Sequence, residues 1–249
     1  MKRSPSFREE LADLFTGELA HARGKIVLSD DSRYFVPAAE LVRPSALDEV
    51  LARFGEAYGD GDARAVASLW SQWYLGTLVV PSVAAGVLLN RVLPLGLEDV
   101  GVAVDEDRGH PVAIRIPHGG RVDPMANAFQ RFGPLVRDHL APFVDSVAPH
   151  VGLSPGVLWG SAGRYVQWTL DEIEGGEGGC AGGRRLLEET TWPDGRMNPL
   201  HETVRYVAHE GSRVPRRRVC CLRYMLPGVE GCGSLCPLPH VREDSGETP

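Results

Sequence analysis

Hydrophobic residues recur at helical spacing through most of the chain. In the first such segment, residues 6–21, one face of a helix would carry Phe7, Leu11, Leu14, Phe15 and Leu19. Ser45, Asp62 and Ser154 are suitable N-cap residues at the start of three later segments. The pattern predicts helices over residues 6–21, from 45 through 58, from 62 through 74, over 124–150, from 154 to about 174, and over 198–210.

Two pairs of short apolar runs interrupt this pattern and predict β-hairpins. Residues 25–28 and 33–36 flank a Ser-Asp-Asp-Ser turn, and residues 100–104 and 111–116 flank a polar segment. With helices dominant and strands few, the predicted fold class is α+β. We expect a mainly helical domain with one or two small antiparallel β-ribbons and a cysteine-rich loop near the C-terminus.

No internal repeat and no long linker divides the chain, so its 249 residues predict a single domain. Residues 174–183 contain six glycines and predict a flexible loop. The predicted regions are an N-terminal helix and hairpin region (1–60), a mainly helical body (61–215), a cysteine segment (216–240) and a disordered tail (241–249).

Residues 74–89 form an uncharged, mostly apolar run of sixteen residues. That is shorter than the about 20 residues that a membrane span needs, and Pro81 interrupts it. We therefore expect a buried core helix, or two half-helices, and no transmembrane segment. The first ten residues carry Lys2, Arg3 and Arg8 with no apolar run behind them, so we expect no signal peptide and a location in the cytoplasm. We also expect a monomer.

Charge argues against one class of partner. The net charge is −7, and no basic stretch is interleaved with aromatic residues, so we expect no nucleic-acid binding. Within residues 184–223, by contrast, nine arginines face five acidic residues. This local excess indicates either a solvated surface or a surface that docks an anionic or polar partner.

The densest chemistry in the chain is a set of four cysteines within seventeen residues: Cys220, Cys221, Cys232 and Cys236. In a reducing compartment, clustered cysteines are more often metal ligands than disulfides. Three interpretations compete. The cysteines are incidental buried residues, or they hold a structural zinc ion, or they bind an iron–sulfur cluster. Cys232 and Cys236 have a spacing usual for zinc, but two adjacent cysteines do not form the usual zinc knuckle.

The neighbouring residues favour the third interpretation. Residues 216–238 resemble the C-terminal signature of the FhuF family of ferric-siderophore reductases, a Cys-Cys pair, a ten-residue spacer and Cys-x-x-Cys. Here the pair and the spacer match, but Leu235 makes the last spacer three residues long. The resemblance extends over about residues 60–240, with further matching positions at Trp70, Trp73, Tyr74, Pro81, Leu158-Trp159-Gly160 and Asn198-Pro199-Leu200.

This resemblance implies that Cys220, Cys221, Cys232 and Cys236 ligate one [2Fe–2S] cluster, with no catalytic residue beyond it. It also implies a substrate, a ferric siderophore of the hydroxamate type, whose one-electron reduction releases Fe(II). No nucleotide-binding glycine motif is present, so we expect electrons from another protein or a small reductant. Cys180, in the glycine-rich loop, is not an expected ligand.

Four arginines are candidates for electrostatic influence on the cluster and the substrate: Arg216, Arg217, Arg218 and Arg223. Cationic neighbours would stabilise the more negative, reduced cluster and raise its potential. Two other functions stay open at this point: an iron–sulfur electron carrier without siderophore specificity, and a zinc-stapled protein of siderophore binding or biosynthesis.

Overall fold

The computed structural model describes residues 6–174, 181–209 and 211–239. Helix α1 (Phe7–Leu14) starts at Ser6, whose side chain forms a capping box with Glu9. It is shorter than the predicted 6–21, because the chain turns into a 3₁₀ helix (Gly17–Ala22). The predicted apolar face is nevertheless confirmed, with buried side chains at Phe7, Leu11, Phe15 and Leu19.

The centre of the fold is helix α4 (Ala63–Leu88). Asp62 caps it, as predicted, by accepting hydrogen bonds from the backbone N–H groups of Arg64 and Ala65. The helix runs without a break through Pro81, so the alternative of two half-helices is wrong. Burial around most of its circumference explains its apolar composition. Within the described residues, no helix is long and apolar enough to cross a membrane.

Other helices surround α4. They are α2 (Ala38–Leu41), α3 (Pro44–Gly55), α5 (Ala128–Leu135), α6 (Ala141–His150), α7 (Pro155–Glu174) and α8 (Ala181–Glu188). Helix α7 makes the most extensive contact with α4. A π-helical turn (Val136–Leu140) joins α5 to α6, so the predicted helical region 124–150 is confirmed from Ala128 onward. Helix α3 begins after Arg43, not Ser45, because Pro44 suits the first helical position.

A buried polar pair joins α4 to this π-helical turn. Tyr74 and His139 are both fully buried, and the Tyr74 hydroxyl lies 2.7 Å from His139 Nε2. The other ring nitrogen, Nδ1, lies 2.7 Å from the carbonyl oxygen of Leu95. Burial lowers the pKa of His139 to about 4, so its imidazole is neutral at physiological pH.

A small mixed sheet packs beside the helices. It contains β1 (Ile26–Val27), β2 (Val36–Pro37), β4 (Gly101–Val104) and β5 (Pro111–Arg115), in the order β1-β5-β4-β2. The predicted β4–β5 hairpin is confirmed. The predicted hairpin between residues 25–28 and 33–36 is wrong, because β1 pairs in parallel with β5 and β2 pairs with β4. Each short strand covers one free edge of the β4–β5 hairpin.

Two further ribbons complete the sheet structure of the described residues. Strands β3 (Arg91–Val92) and β6 (Arg121–Val122) form one, and β7 (Val204–His209) and β8 (Ser212–Arg217) form the other. The second ribbon overturns the helix predicted over residues 198–210. Its β-branched and aromatic residues favour a strand, and Gly211 adopts the positive φ of 77° at the turn.

The predicted glycine-rich loop and C-terminal tail lie partly or wholly outside the described residues. Residues 181–183, expected in a flexible loop, lie in α8, while residues 175–180, including Cys180, lie outside the described part. The predicted disordered tail, residues 241–249, lies outside it too. The α+β fold class is confirmed. The division into four regions within one domain stays a prediction.

Candidate cluster site and the adjoining pocket

The cysteine segment leaves β8 and crosses the N-terminal half of α4 with little regular structure. It contains two 3₁₀ turns, Arg223–Met225 and Gly233–Leu235. Ser68 of α4 donates its hydroxyl to the carbonyl oxygen of Cys221 at 2.7 Å. Because Ser68 is fully buried, this bond ties the middle of the segment to the core.

The segment brings two of the predicted ligands into contact. The Sγ atoms of Cys221 and Cys232 lie 3.7 Å apart. Cys221 and Cys236 are buried, Cys220 and Cys232 are partly buried, and all four are free thiols. The backbone N–H of Leu222, a residue with φ 62°, points at Cys220 Sγ at 3.3 Å. Over the described ranges, no three cysteine, histidine or acidic side chains are already gathered as a metal site.

These thiols fit an iron–sulfur centre in kind and in spacing. Two thiolates bound to one tetrahedral metal ion at about 2.3 Å lie about 3.8 Å apart, close to the Cys221–Cys232 separation. An N–H donor to a sulfur, as at Cys220, is a usual neighbour of such a centre. The four thiolates of the segment are the donor set that a [2Fe–2S] cluster requires.

The thiol pKa values favour a thiolate at Cys221. The hydrogen bond from the Cys232 thiol lowers the pKa of Cys221 to about 5, against the opposing effect of burial, with help from Arg217 and Arg223. The same hydrogen bond raises the pKa of Cys232. Burial raises the pKa of Cys220. The shared proton thus favours the negative charge at Cys221, on the side of the two arginines.

The four candidate arginines have different positions, with Arg223 at the start of the first 3₁₀ turn of the segment. Arg217 is only 6% exposed, and its Nη1 donates to Ser161 Oγ at 2.9 Å. Arg216 Nε donates to the carbonyl oxygen of Ser234, inside the spacer between the last two cysteines, at 3.2 Å. Arg218 is exposed and reaches Glu202 at 3.4 Å. Of the run 216–218, Arg217 is thus the buried residue, and its positive charge acts on Cys221.

A pocket of about 430 Å³ adjoins the segment, between α4 and α7. Its cationic lining consists of Lys25, Arg164, Arg217 and Arg223. Its aromatic lining consists of His21, Trp73, Tyr165 and Trp168. Leu235, the extra residue of the last spacer, also lines it, so the pocket reaches the residue next to Cys236.

Packing keeps one wall of this pocket in place. A Cβ atom at Gly76 of α4 would lie 3.1 Å from the ring of Tyr165, so the glycine allows that ring to lie close to α4. His21 packs on Trp168 with ring centroids 5.2 Å apart. Trp73, 46% exposed, packs on His110 at 4.7 Å.

Two family models match the chain, one over most of the helical body and one over the cysteine segment. Residues 68–214, more than half of the chain, match the family described as "Ferric iron reductase FhuF-like transporter". The chain belongs to the FhuF family. Residues 217–238 match the "FhuF 2Fe-2S C-terminal domain", which confirms the predicted [2Fe–2S] cofactor. The assignment of Cys220, Cys221, Cys232 and Cys236 as its ligands stays a prediction.

One curated FhuF relative is similar over a long alignment. It is the "Ferric siderophore reductase" of Escherichia coli (strain K12), 30% identical over 170 residues. The alignment covers 67% of this chain and 63% of the relative, so the chain matches less than two thirds of that protein's length.

Sequence reasoning missed part of the pocket between α4 and α7. Arg164 and Trp168 line it, although the sequence motifs include neither residue. Trp73, one of the positions that match the family, lines it too, whereas Trp70 is fully buried. A usable signal was present in the sequence, because Arg164 is the one charged residue within residues 155–170 of the predicted helix.

Proposed function

We propose that this FhuF-family chain reduces ferric siderophores by one electron through a [2Fe–2S] cluster held by Cys220, Cys221, Cys232 and Cys236. The observation that carries the proposal is the contact between the 2Fe–2S segment and the cationic, aromatic-walled pocket, which share Arg217, Arg223 and Leu235. A plain electron carrier needs no ligand-sized cavity beside its cluster.

The chemistry depends on what one electron does to the substrate iron. Siderophore oxygens are hard donors that bind small, highly charged Fe³⁺ far more strongly than Fe²⁺. When bound, the cluster supplies one-electron transfer. One electron added to the chelated Fe³⁺ gives Fe²⁺ and breaks no bond within the chelator, so the metal leaves because its affinity has fallen.

The chain's own residues would hold the substrate and control the charge around it. Arg217 and Arg223 act electrostatically on Cys221, and both line the pocket. Their positive charges therefore favour added negative charge at the cysteine segment and attract negative charge in the pocket. The rings of Trp73 and Trp168 give flat apolar walls against which a chelate can pack while water is excluded.

The remaining parts of the proposal concern context. The electron donor would be another protein or a small reductant, and the chain would act as a monomer in a reducing compartment such as the cytoplasm, which keeps the four thiols free. The hydroxamate class of chelator, expected from the family resemblance, stays a prediction.

The test is a single-turnover reaction. Cluster-loaded protein, reduced under anaerobic conditions with dithionite supplying one electron per cluster, is mixed with a ferric chelate. Cluster absorbance and trapping of Fe(II) by a ferrous-specific dye are then followed. We expect reoxidation of the cluster and one Fe(II) per cluster, at a rate that saturates with chelate concentration. A rate strictly linear in chelate, and equal for unrelated chelates, would indicate an unspecific carrier. No reoxidation would overturn the proposal.

A further inference from the structure

Three arginines of the pocket bury nitrogen atoms that bond to nothing in the described structure. They are Nε and Nη1 of Arg164, Nε of Arg217 and Nε of Arg223. Buried N–H donors are nearly always paired, and leaving a charged one unpaired costs more than leaving a neutral one. Three such residues lining one cavity therefore indicate an absent acceptor.

The charges around the cavity point the same way. Among the residues that the structure describes, the pocket lining contains Lys25 and the three arginines but no acidic side chain. Burial lowers the pKa of Arg164, and the nearby positive charge of Arg217 lowers it further. Asp171, an acid whose charge acts on Arg164, does not line the cavity and pairs with Arg184 at 2.7 Å.

Arg164 has no visible role in the cluster segment. It belongs to α7, fifty-six residues before Cys220 in the sequence, whereas Arg217 and Arg223 flank the cysteines and act on Cys221. Charge compensation of the thiolates can thus explain Arg217 and Arg223, but Arg164 instead offers donors to the cavity.

We propose that this pocket binds ferric chelates of net negative charge, with Arg164, Arg217 and Arg223 donating hydrogen bonds to anionic oxygens of the chelate and Trp73 and Trp168 packing against its apolar part. The inference rests on the proposed function and adds to it the charge of the substrate. Catecholate and carboxylate oxygens share the required chemistry. Neutral tris-hydroxamate complexes lack it, so an anionic pocket would replace the hydroxamate class expected from the family resemblance.

Binding can be measured apart from reduction with gallium(III) chelates, since Ga³⁺ has the charge of Fe³⁺ but is not reduced under these conditions. Oxidised, cluster-loaded protein is titrated calorimetrically with a tris-catecholate, a citrate-type carboxylate, a neutral tris-hydroxamate and a tris-hydroxamate carrying an ammonium group. We expect the two anionic chelates to bind most tightly, and their affinity to fall as salt is raised. The tighter of the two anions identifies the source of the oxygens.

Arg164→Gln is the test variant and Arg218→Gln is its control. Arg218 is exposed, reaches Glu202 and is not among the pocket-lining residues. Arg164→Gln should weaken the anionic chelates about 10- to 100-fold, as expected for hydrogen bonds from a charged donor, and change the neutral one little. Arg164→Lys should recover part of the loss, and Arg218→Gln should match the unaltered protein. If Arg164→Gln does not fold, the salt dependence and the order of affinities in the unaltered protein still decide the matter.

The two proposals fail separately. Equal affinity for neutral, cationic and anionic gallium chelates, or binding of anions that Arg164→Gln leaves unchanged, overturns the anionic pocket even if ferric chelates are reduced. Tight, Arg164-dependent binding of gallium anions whose ferric counterparts are never reduced upholds the pocket and overturns the reductase.

Discussion

Helix α4 and the cysteine segment lie against each other but are held in place by different interactions. The helix is buried over nearly its whole length, and its backbone hydrogen bonds are internal. The segment has only two short 3₁₀ turns, and side-chain bonds such as Ser68–Cys221 and Arg216–Ser234 link it to its surroundings. The comparison teaches that the body folds by apolar burial, whereas the segment depends on individual polar contacts and on its cofactor.

The largest effect is expected from replacing a cysteine of the segment, which should remove the cofactor and leave the helical body folded. Replacing Cys220, Cys221, Cys232 or Cys236 by Ser should abolish or strongly reduce the visible absorbance, because a hydroxyl is a poor substitute for a thiolate on iron. Far-ultraviolet circular dichroism should change little, since the helices pack without the segment's sulfur atoms. Cys180→Ala is the matched control and should keep its iron.

Two results would change the ligand assignment. An unchanged spectrum of the reduced protein after replacement of one of the four cysteines would remove that residue from the set. Loss of iron in Cys180→Ala would bring the glycine-rich loop into the site.

The next largest effect is the pH dependence of stability that the buried His139 gives to the helical body. Burial lowers the pKa of His139 to about 4, while an unfolded histidine titrates near about 6.5. Below about pH 6.5, His139 is protonated in the unfolded chain but stays neutral in the folded one. Stability contributed by this group is therefore complete above that pH and is lost as pH falls toward 4, by roughly 3 kcal/mol.

Urea unfolding followed by circular dichroism at several pH values measures how the free energy of unfolding changes with pH. His139→Asn should make this slope flatter. His118→Asn, at an exposed position, is the control and should leave it unchanged. An equally steep slope in His139→Asn would assign the acid sensitivity to other groups.

How far the sequence predicts the structure also differs between the two regions. The signals for α4 and for the cysteine motif are local: a capping Asp62, an apolar run, four thiols at fixed spacing. Strands β1 and β2 were paired with each other because they are neighbours in sequence, whereas each pairs with a different strand of β4–β5. The pocket was missed for the same reason, since Arg164, Arg217 and Trp73 come from three separate elements.

Electrostatic tuning of the cluster is a smaller effect, and it separates two neighbouring arginines. Arg217→Gln should lower the reduction potential by roughly 60 mV, about one tenfold change in the one-electron equilibrium, because a buried positive charge near Cys221 is lost. Arg218→Gln should change it far less, since Arg218 is exposed and screened by solvent. Redox titration followed by electron paramagnetic resonance gives both values. Equal shifts in the two variants would contradict the assignment of Arg217 to the buried side.

The smallest effect tests the contact between the two regions. Ser68→Ala removes the hydroxyl that donates to the carbonyl oxygen of Cys221, at a cost of about 1 kcal/mol. Because the bond anchors the segment and not the helix, cluster loss under a chelator should accelerate while urea unfolding of the helices shifts little. Ser71→Ala is the matched control: Ser71 is equally buried, but its hydroxyl bonds to Ala67 within α4. If both variants lose the cluster at the same rate, the segment is held by its cofactor and its other contacts, and the Ser68 bond contributes nothing to its retention.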